Sequence, residues 1–515
     1  MAQLTKEQLL ERVMQQNELI TQQQERIQTL ETQVRYLVTK QFGTKSEKLS
    51  ADQLALFNSE AESTSDNASS AKSTEEEDTV HISFERKRRG KRNKLNETLE
   101  RHRIEYELSE ADQRCECGSQ FKPVSTKVSE QCEYIPAQVI VIQHVEHQYA
   151  CPCCQQMVLA KKPPQPLPKT NAAPGLLAHL ITTKYVDAVP LHRQEQQLAR
   201  IGIQSPRNTM ARWVIQLSTL VLPLINLMED LIRAGPVIQC DETPHQVLKE
   251  LGRTAQQLSY IWVRRGGIAG RHVVLFYYSP NRSGQVVLGL MEDYQGYVQC
   301  DGYPAYAVLE SKGITLVGCM AHCRRKFKDA LTIIAKKEKQ QRTKAAIALQ
   351  YFKQLYAIEA EGKGLTDQER KALRETKAKP ILDEFKQWLD EQQPVVLPKS
   401  PLGKAIQYAQ NQWSKLIRYC DEGYLEIDNN SDERAIRPLA IGRRNYLFAD
   451  TPEGAQANAR FYSLIETCKL HGHEPYAYLK YLFKELPKAQ CVDDYENLLP
   501  WNLDVDSVKE LARAV

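Results

Sequence analysis

Apolar residues in the first forty positions recur every seventh place. Val13, Ile20, Ile27 and Val34 make one row; Leu9, Leu30 and Leu37 make its companion, which Gln16 and Gln23 interrupt. β-Branched residues in one row and leucine in the other favour a parallel two-stranded coiled coil, so residues 1–50 predict a dimerising helix. The alternative is a lone amphipathic helix packed on the body of the protein. The periodicity lapses in NSEAESTSDNASSAKSTEEEDTV, residues 58–80, which has almost no large apolar side chain. Such a stretch buries too little surface to offset its ordering entropy and predicts a flexible linker. Alternation of period two appears in EYIPAQVIVIQHVEHQYA, a strand and hairpin pattern. Helical spacing returns over residues 166–232, where PLHRQEQQLARIGIQSPRNTMARWVIQL predicts a helix to Arg200, a turn at Gly202 and a new start at Ser205. Leu198, Ile203, Met210, Trp213 and Val214 fall at core spacing for a helix-turn-helix. Many helical hairpins share that outline and bind nothing.

From Pro236 the pattern changes again. It reads strand (PVIQCD), strand (LSYIWVRR), strand (RHVVLFYYS), short helix (GQVVLGLME), strand (YVQCD), helix, strand (ITLVGCM) and helix (AHCRRKFKDAL). That succession resembles a ribonuclease-H-like α/β sheet, in which the ends of the first and fourth strands lie side by side. Two of these strands end in the same Cys-Asp, so Asp241 and Asp301 are expected to converge. Paired carboxylates repel unless a divalent cation neutralises them, and hard oxygen ligands suit magnesium or manganese. Strand alternation turns Glu242 away from them. A third acid is expected from EIDNNSDERAIRPLAIGRRNYLF, residues 426–448. Spacing alone does not choose among Glu426, Asp428, Asp432 and Glu433. Asn430 is placed to cap a helix with Glu433 at its third position, and Pro438 is expected to end that helix. The plain alternative pairs Glu433 with Arg437 on an exposed helix face.

Composition narrows the picture. A chain of 515 residues exceeds one compact domain, and a 42% hydrophobic share supports sizeable cores. Net charge is only +4, so a nucleic-acid reading has to come from local clusters. One is ERKRRGKRNKL at 85–95, with seven Lys/Arg between residues 86 and 94 beside the acidic linker; it predicts a phosphate-touching arm within residues 51–96. Arg207, Asn208 and Arg212 on the second helix of the hairpin are types suited to a DNA groove. Arg434, Arg437, Arg443 and Arg444 form a second basic group; neutralising about six phosphates gives a salt slope near −5 in log affinity. The polar N-terminus and short apolar runs predict a cytoplasmic protein without a membrane span. Among thirteen cysteines, RCECGSQF and HQYACPCCQQ cluster five within residues 97–165. Cys115, Cys117, Cys151 and Cys154 are candidate ligands of one structural zinc ion, with Cys153 as a rival; the alternative is small buried thiols.

Taken together, LVTKQFGTKSEKL, RGKRNKL, the cysteine ribbon, CDETP, CDGYPAY, AHCRRKF, NNSDERAIRPLAIGRRNYLF, RFYSLIETCKLHGHEPYAYL and LLPWN span nearly the whole chain. In these segments the protein resembles the large transposase of the insertion-sequence-66 type, a DDE transposase. Cys323 stands where the family more often has a small residue, and the Cys115–Cys117 pair is tighter than usual. The resemblance implies a core in residues 233–324 and 421–485, interrupted by a helical insertion at 325–420 and followed by a tail at 486–515. It places the catalytic, metal-binding acids on Asp241, Asp301 and Glu433, which would hold two magnesium or manganese ions. It further implies binding to terminal inverted repeats and target DNA, with a second copy of the chain and small accessory proteins of the same element as partners. Water frees a 3′-hydroxyl at the element's end, which then attacks target DNA without a covalent enzyme intermediate. His322 is a candidate contact to a phosphate or the leaving oxygen, or else a structural histidine. Rival readings are a catalytically inactive DNA-binding regulator and a ribonuclease-H-like nuclease or resolvase.

Overall fold

The computed structural model describes residues 139–150, 157–159, 162–332 and 343–513, together with Gln16 and Gln23, both helical and exposed. The remainder of the predicted coiled coil, the linker, the basic arm and Cys115, Cys117, Cys151 and Cys154 lie outside the described residues. A short antiparallel hairpin of β1 (Gln148–Ala150) and β2 (Met157–Leu159) brackets Cys151 and Cys154 in sequence.

Four helices follow: α1 (Pro174–Tyr185), α2 (Leu191–Arg200), α3 (Arg207–Leu220) and α4 (Leu222–Ala234). Gly202, at φ +89°, makes the turn between α2 and α3, a backbone conformation that side-chain-bearing residues resist. Leu198, Met210 and Val214 are buried, so the pair packs through the positions that the helical spacing selects. Among the described residues no single helix is long and apolar enough to cross a bilayer; α3 and α4 meet the test only as a pair bent by 48°.

The sheet is built from β3 (Val237–Gln246), β4 (Leu258–Ile268), β5 (Arg271–Ser279), β6 (Tyr297–Cys300) and β7 (Thr315–Gly318). Its order is β5-β4-β3-β6-β7. The first three strands run antiparallel, with a tight turn between β4 and β5 and a longer link, residues 247–257, between β3 and β4; β6 and β7 then add parallel to β3. Parallel addition needs crossovers, here α5 (Gly284–Leu290) and the 3₁₀ stretch Pro304–Lys312. Beyond β7 comes α6 (Met320–Thr332), then the insertion: α7 (Lys344–Glu361), α8 (Asp367–Leu373), α9 (Lys379–Gln392) and α10 (Pro401–Leu416). The chain returns to the sheet with α11 (Asn430–Tyr446), α12 (Pro452–Leu470) and α13 (Pro475–Glu485).

The exposed edge of β5 is closed by side chains of α12. Val274 N–H donates to Thr467 Oγ1 at 3.1 Å and Phe276 N–H to Ser463 Oγ at 2.8 Å. These bonds satisfy ladder groups that an edge strand otherwise offers to a foreign strand. The insertion shares a second core with β7 and α6, in which Phe385 lies 6.1 Å from Phe327 and 5.2 Å from Phe352, ring to ring.

One buried side chain ties the insertion to the segment leading into α11. Arg374, 1% exposed, sits in a wide turn between α8 and α9. It forms a bidentate pair with Glu359 at 2.7 and 2.9 Å and donates to the carbonyls of Tyr419, Glu422 and Leu425 at 2.7, 2.9 and 2.9 Å. A guanidinium has five N–H donors, and five acceptors are present. Arg374→Ala leaves a half-buried carboxylate and three carbonyls without their donor. The expected loss is about 3–5 kcal/mol of unfolding free energy, read from denaturant titration.

Candidate active site

The repeated Gln-Cys-Asp explains how the site is assembled. On β3 the even residues Cys240 and Glu242 share one face, where the Tyr306 hydroxyl lies 3.5 Å from Cys240 Sγ and donates to Glu242 Oε2 at 3.0 Å. The odd residues face the other way. Gln239 pairs in register with Gln299 of β6, and its amide donates to Gln299 Oε1 at 2.9 Å. Two residues further along, Asp241 continues β3 while Asp301 directly follows the last residue of β6, near enough to bear on the Asp241 carboxyl. Both glutamines also hold the segment before α11: Gln239 Nε2 donates to Glu426 Oε2 at 3.0 Å, and Gln299 Nε2 to the Glu426 carbonyl at 2.6 Å. These glutamines were not singled out from the sequence, although their place in the echo was the available signal.

Asp241 Oδ1 accepts from the Glu242 N–H at 2.8 Å, and Asp301 Oδ1 from the Tyr303 N–H at 2.8 Å. Burial pushes the Asp241 carboxyl up to about 8, with further upward pressure from Glu242, Asp301 and Glu433. Glu242 is also raised, first by burial and then by Asp301, while its bond from Tyr306 and its ion pair with Arg282 at 3.6 Å oppose the rise. Alternation does turn Glu242 away from Asp241, yet its charge still reaches the site.

Four acids competed for the third place, and the structure separates them. Glu426 is engaged by Gln239, by Ser431 Oγ at 2.9 Å and by Arg265 at 3.6 Å. Asp428 accepts from Tyr356 Oη at 2.6 Å and from Asn430 through its backbone N–H at 3.0 Å and its side-chain amide at 2.8 Å. Glu433 is paired with Arg325 at 3.2 Å and lies 3.6 Å from His322 Nε2. Asp432 is fully buried, and neither of its oxygens has a hydrogen-bond partner. Burial and then Asp241 raise its carboxyl well above the usual range.

The start of α11 differs from the expected cap. Asn429 occupies the cap position without a side-chain bond, and Asn430 spends its amide on Asp428. Nor does Pro438 end the helix, which runs on to Tyr446 because Ala435, Leu439 and Gly442 bury one continuous face. His322 lies on the first turn of α6, after β7 rather than within it. Burial lowers its pKa while Glu433 opposes, and its Nδ1 is buried without a partner.

The basic candidates separate as well. Arg207 and Arg212 are exposed on α3, as are Arg434 and Arg444 on α11, and Arg437 is half-buried. Arg443 instead donates to Thr243 Oγ1 at 2.8 Å and to the Pro244 carbonyl, binding α11 to β3. The acid cluster has the donor chemistry of a hard-cation site: oxygen ligands and unrelieved negative charge. Among the described residues, however, no group of three His, Cys, Asp or Glu side chains is close enough to enclose an ion.

Sequence profiles match most of the chain. The one described as Transposase IS66 family covers residues 169–457, and the IS66 C-terminal element covers 463–501. The zinc-finger binding domain of transposase IS66 matches 112–155, and Transposase C of IS166 homeodomain matches 29–104. Uncharacterized protein y4jD of Sinorhizobium fredii is 28% identical over 410 residues, 77% of this chain and 79% of that protein. Uncharacterized protein y4hP of the same organism is 29% identical over 495 residues, 92% of this chain and 88% of that protein.

Proposed function

Since the chain belongs to the IS66 family of transposases, we propose that it binds the terminal inverted repeats of an insertion sequence and catalyses strand cleavage and strand transfer. In this reading the sheet is a ribonuclease-H-like core, and Asp241, Asp301 and Glu433 hold magnesium or manganese. The observation that carries it is geometric: Gln239 pairs with Gln299 and both hold Glu426, which brings Asp241, Asp301 and the start of α11 together, so that Asp301 and Glu433 both bear on the Asp241 carboxyl despite separations of sixty and nearly two hundred residues. Divalent cations bound there would activate the attacking oxygen and stabilise the leaving one.

The chain's own groups supply the setting. Gln239 and Gln299 keep the two strands in register and hold the approach to α11. His322 is kept neutral by burial, so its Nε2 can accept or donate a hydrogen bond beside Glu433 without adding charge. Arg325 steadies Glu433 and offers a cation for a phosphate. Arg207, Arg212, Arg434, Arg437 and Arg444 supply contacts to the DNA backbone, and the N-terminal helix pairs two copies of the chain, with small accessory proteins of the element as further partners. A zinc ion on Cys115, Cys117, Cys151 and Cys154 stiffens the ribbon.

A second reading has its own support. The Arg325–Glu433 pair and the unenclosed acid cluster suit a DNA-binding regulator that does not cut. Purified protein, magnesium, terminal-repeat DNA and a target plasmid separate the two. Breakage confined to the repeat ends, with joining, supports the transposase; binding without breakage supports the regulator, and indiscriminate nicking a nuclease. Metal analysis of the same preparation should return about one zinc per chain; a protein free of zinc retires the ribbon ligands.

A further inference from the structure

A cavity of about 160 Å³ opens beside Asp301, lined on the sheet side by Asp301, Gly302, Tyr303 and Ala307 and on the other by Gln412 and Lys415 of the insertion helix α10. A cavity near 150 Å³ holds a single six-membered aromatic ring, so this one is the size of one nucleobase. It is a built contact between insertion and core. A Cβ at Gly302 would lie 2.7 Å from the Tyr408 ring, so only glycine lets α10 approach the Asp301 turn this closely. Tyr408, Gln412 and Lys415 follow at helical spacing and present one face.

The polar groups there are more than packing requires. Among the described residues Gln412 makes no hydrogen bond, although its amide is half-buried and carries donors and an acceptor. Lys415 and Arg418 share one carboxylate, Glu310, at 3.5 and 3.8 Å, and Lys415 lines the cavity as a cation. Opposite them, the Tyr303 ring is held by the Arg282 guanidinium at 4.5 Å and by Tyr306 at 6.4 Å. A rigid aromatic wall, a free amide and a cation are what an unstacked base and its flanking phosphate need.

We propose that this cavity is a nucleotide subsite: it takes one base unstacked from the DNA end beside the phosphodiester at Asp301. Gln412 reads the base edge, Tyr303 forms the wall, and Lys415 meets a neighbouring phosphate. The helical insertion thereby acts in end recognition. This rests on the transposase reading above.

The test uses the full chain and a terminal-repeat duplex carrying 2-aminopurine, moved one position at a time across the cleavage end. Unstacking brightens this base. The expected result is a several-fold rise at one position near the cut. Ala307→Trp, an exposed residue whose enlargement fills the mouth, should return the emission to that of free duplex. Gln412→Ala should keep the rise but weaken the preference for one base there about tenfold. Ends that are bound and cut with no position brightening, or brightening that survives Ala307→Trp, overturn the subsite. If the unaltered protein neither binds nor cuts the ends, the transposase reading fails and takes the subsite with it.

Discussion

Asp241→Asn should lower strand cleavage by on the order of 10³-fold or more while repeat binding stays within a few-fold. The exchange keeps the size of the side chain and its bond from the Glu242 N–H, and removes one ligand charge from the centre of the acid cluster. None of the arginines assigned to DNA, on α3 and α11, is among the groups that act on the Asp241 carboxyl, so affinity has no reason to collapse. A second readout is independent of activity. The folded Asp241 carboxyl titrates at about 8 against 3.8 for the free group, so between those values the native state holds a proton that the unfolded state has released. Stability of the cation-free protein must then fall as pH rises from about 4 to 8. Asn carries no such proton, so the variant should lose that part of the fall and unfold at the higher temperature near pH 8. Added magnesium or manganese should raise the unfolding temperature of the unaltered protein and do little for the variant. Loss of repeat binding together with a drop in stability would make Asp241 an architectural residue.

The parts of this arrangement that were legible from sequence are those encoded locally. Most strands of the sheet are apolar runs bounded by turn residues, and the Cys-Asp echo marks two neighbouring parallel strands; the expected strand end holds for β6, which stops at Cys300, whereas β3 runs on past Asp241 to Gln246 because β4 pairs with it along that length. The third acid was not legible, because its position depends on contacts made by other elements. Glu426, Asp428, Asp432 and Glu433 sit within eight positions of one another, and only tertiary partners distinguish them: Gln239 and Arg265 for the first, Tyr356 for the second, burial for the third, His322 and Arg325 for the last. The expected cap and helix stop at α11 failed for the same reason. A proline removes one hydrogen bond, but a continuous buried face through Ala435, Leu439 and Gly442 outweighs that loss. Arg443 looked like its basic neighbours until its place against Thr243 was known.

That crowding makes the comparison of Glu433→Gln with Asp432→Asn the more demanding experiment. The first should cost cleavage on the order of 10³-fold; the second should cost less than about tenfold, because burial pushes Asp432 towards its neutral form, which Asn imitates in shape and charge. Neighbouring residues on an α-helix project about 100° apart, so one rigid placement of α11 cannot aim both carboxylates at the same cation. Glu433 lies on the side of His322 and Arg325, where a phosphate can approach; Asp432 lies beneath, against Asp241, with no solvent access. Repeat binding and unfolding temperature should be measured for both, since a buried substitution can act through the fold alone. A reversed ranking, with Asp432→Asn inactive but folded and Glu433→Gln active, would mean that α11 turns by roughly one residue when DNA and metal bind. The Arg325–Glu433 pair would then be a latch that holds the resting state, and its removal by Arg325→Ala should speed cleavage rather than slow it.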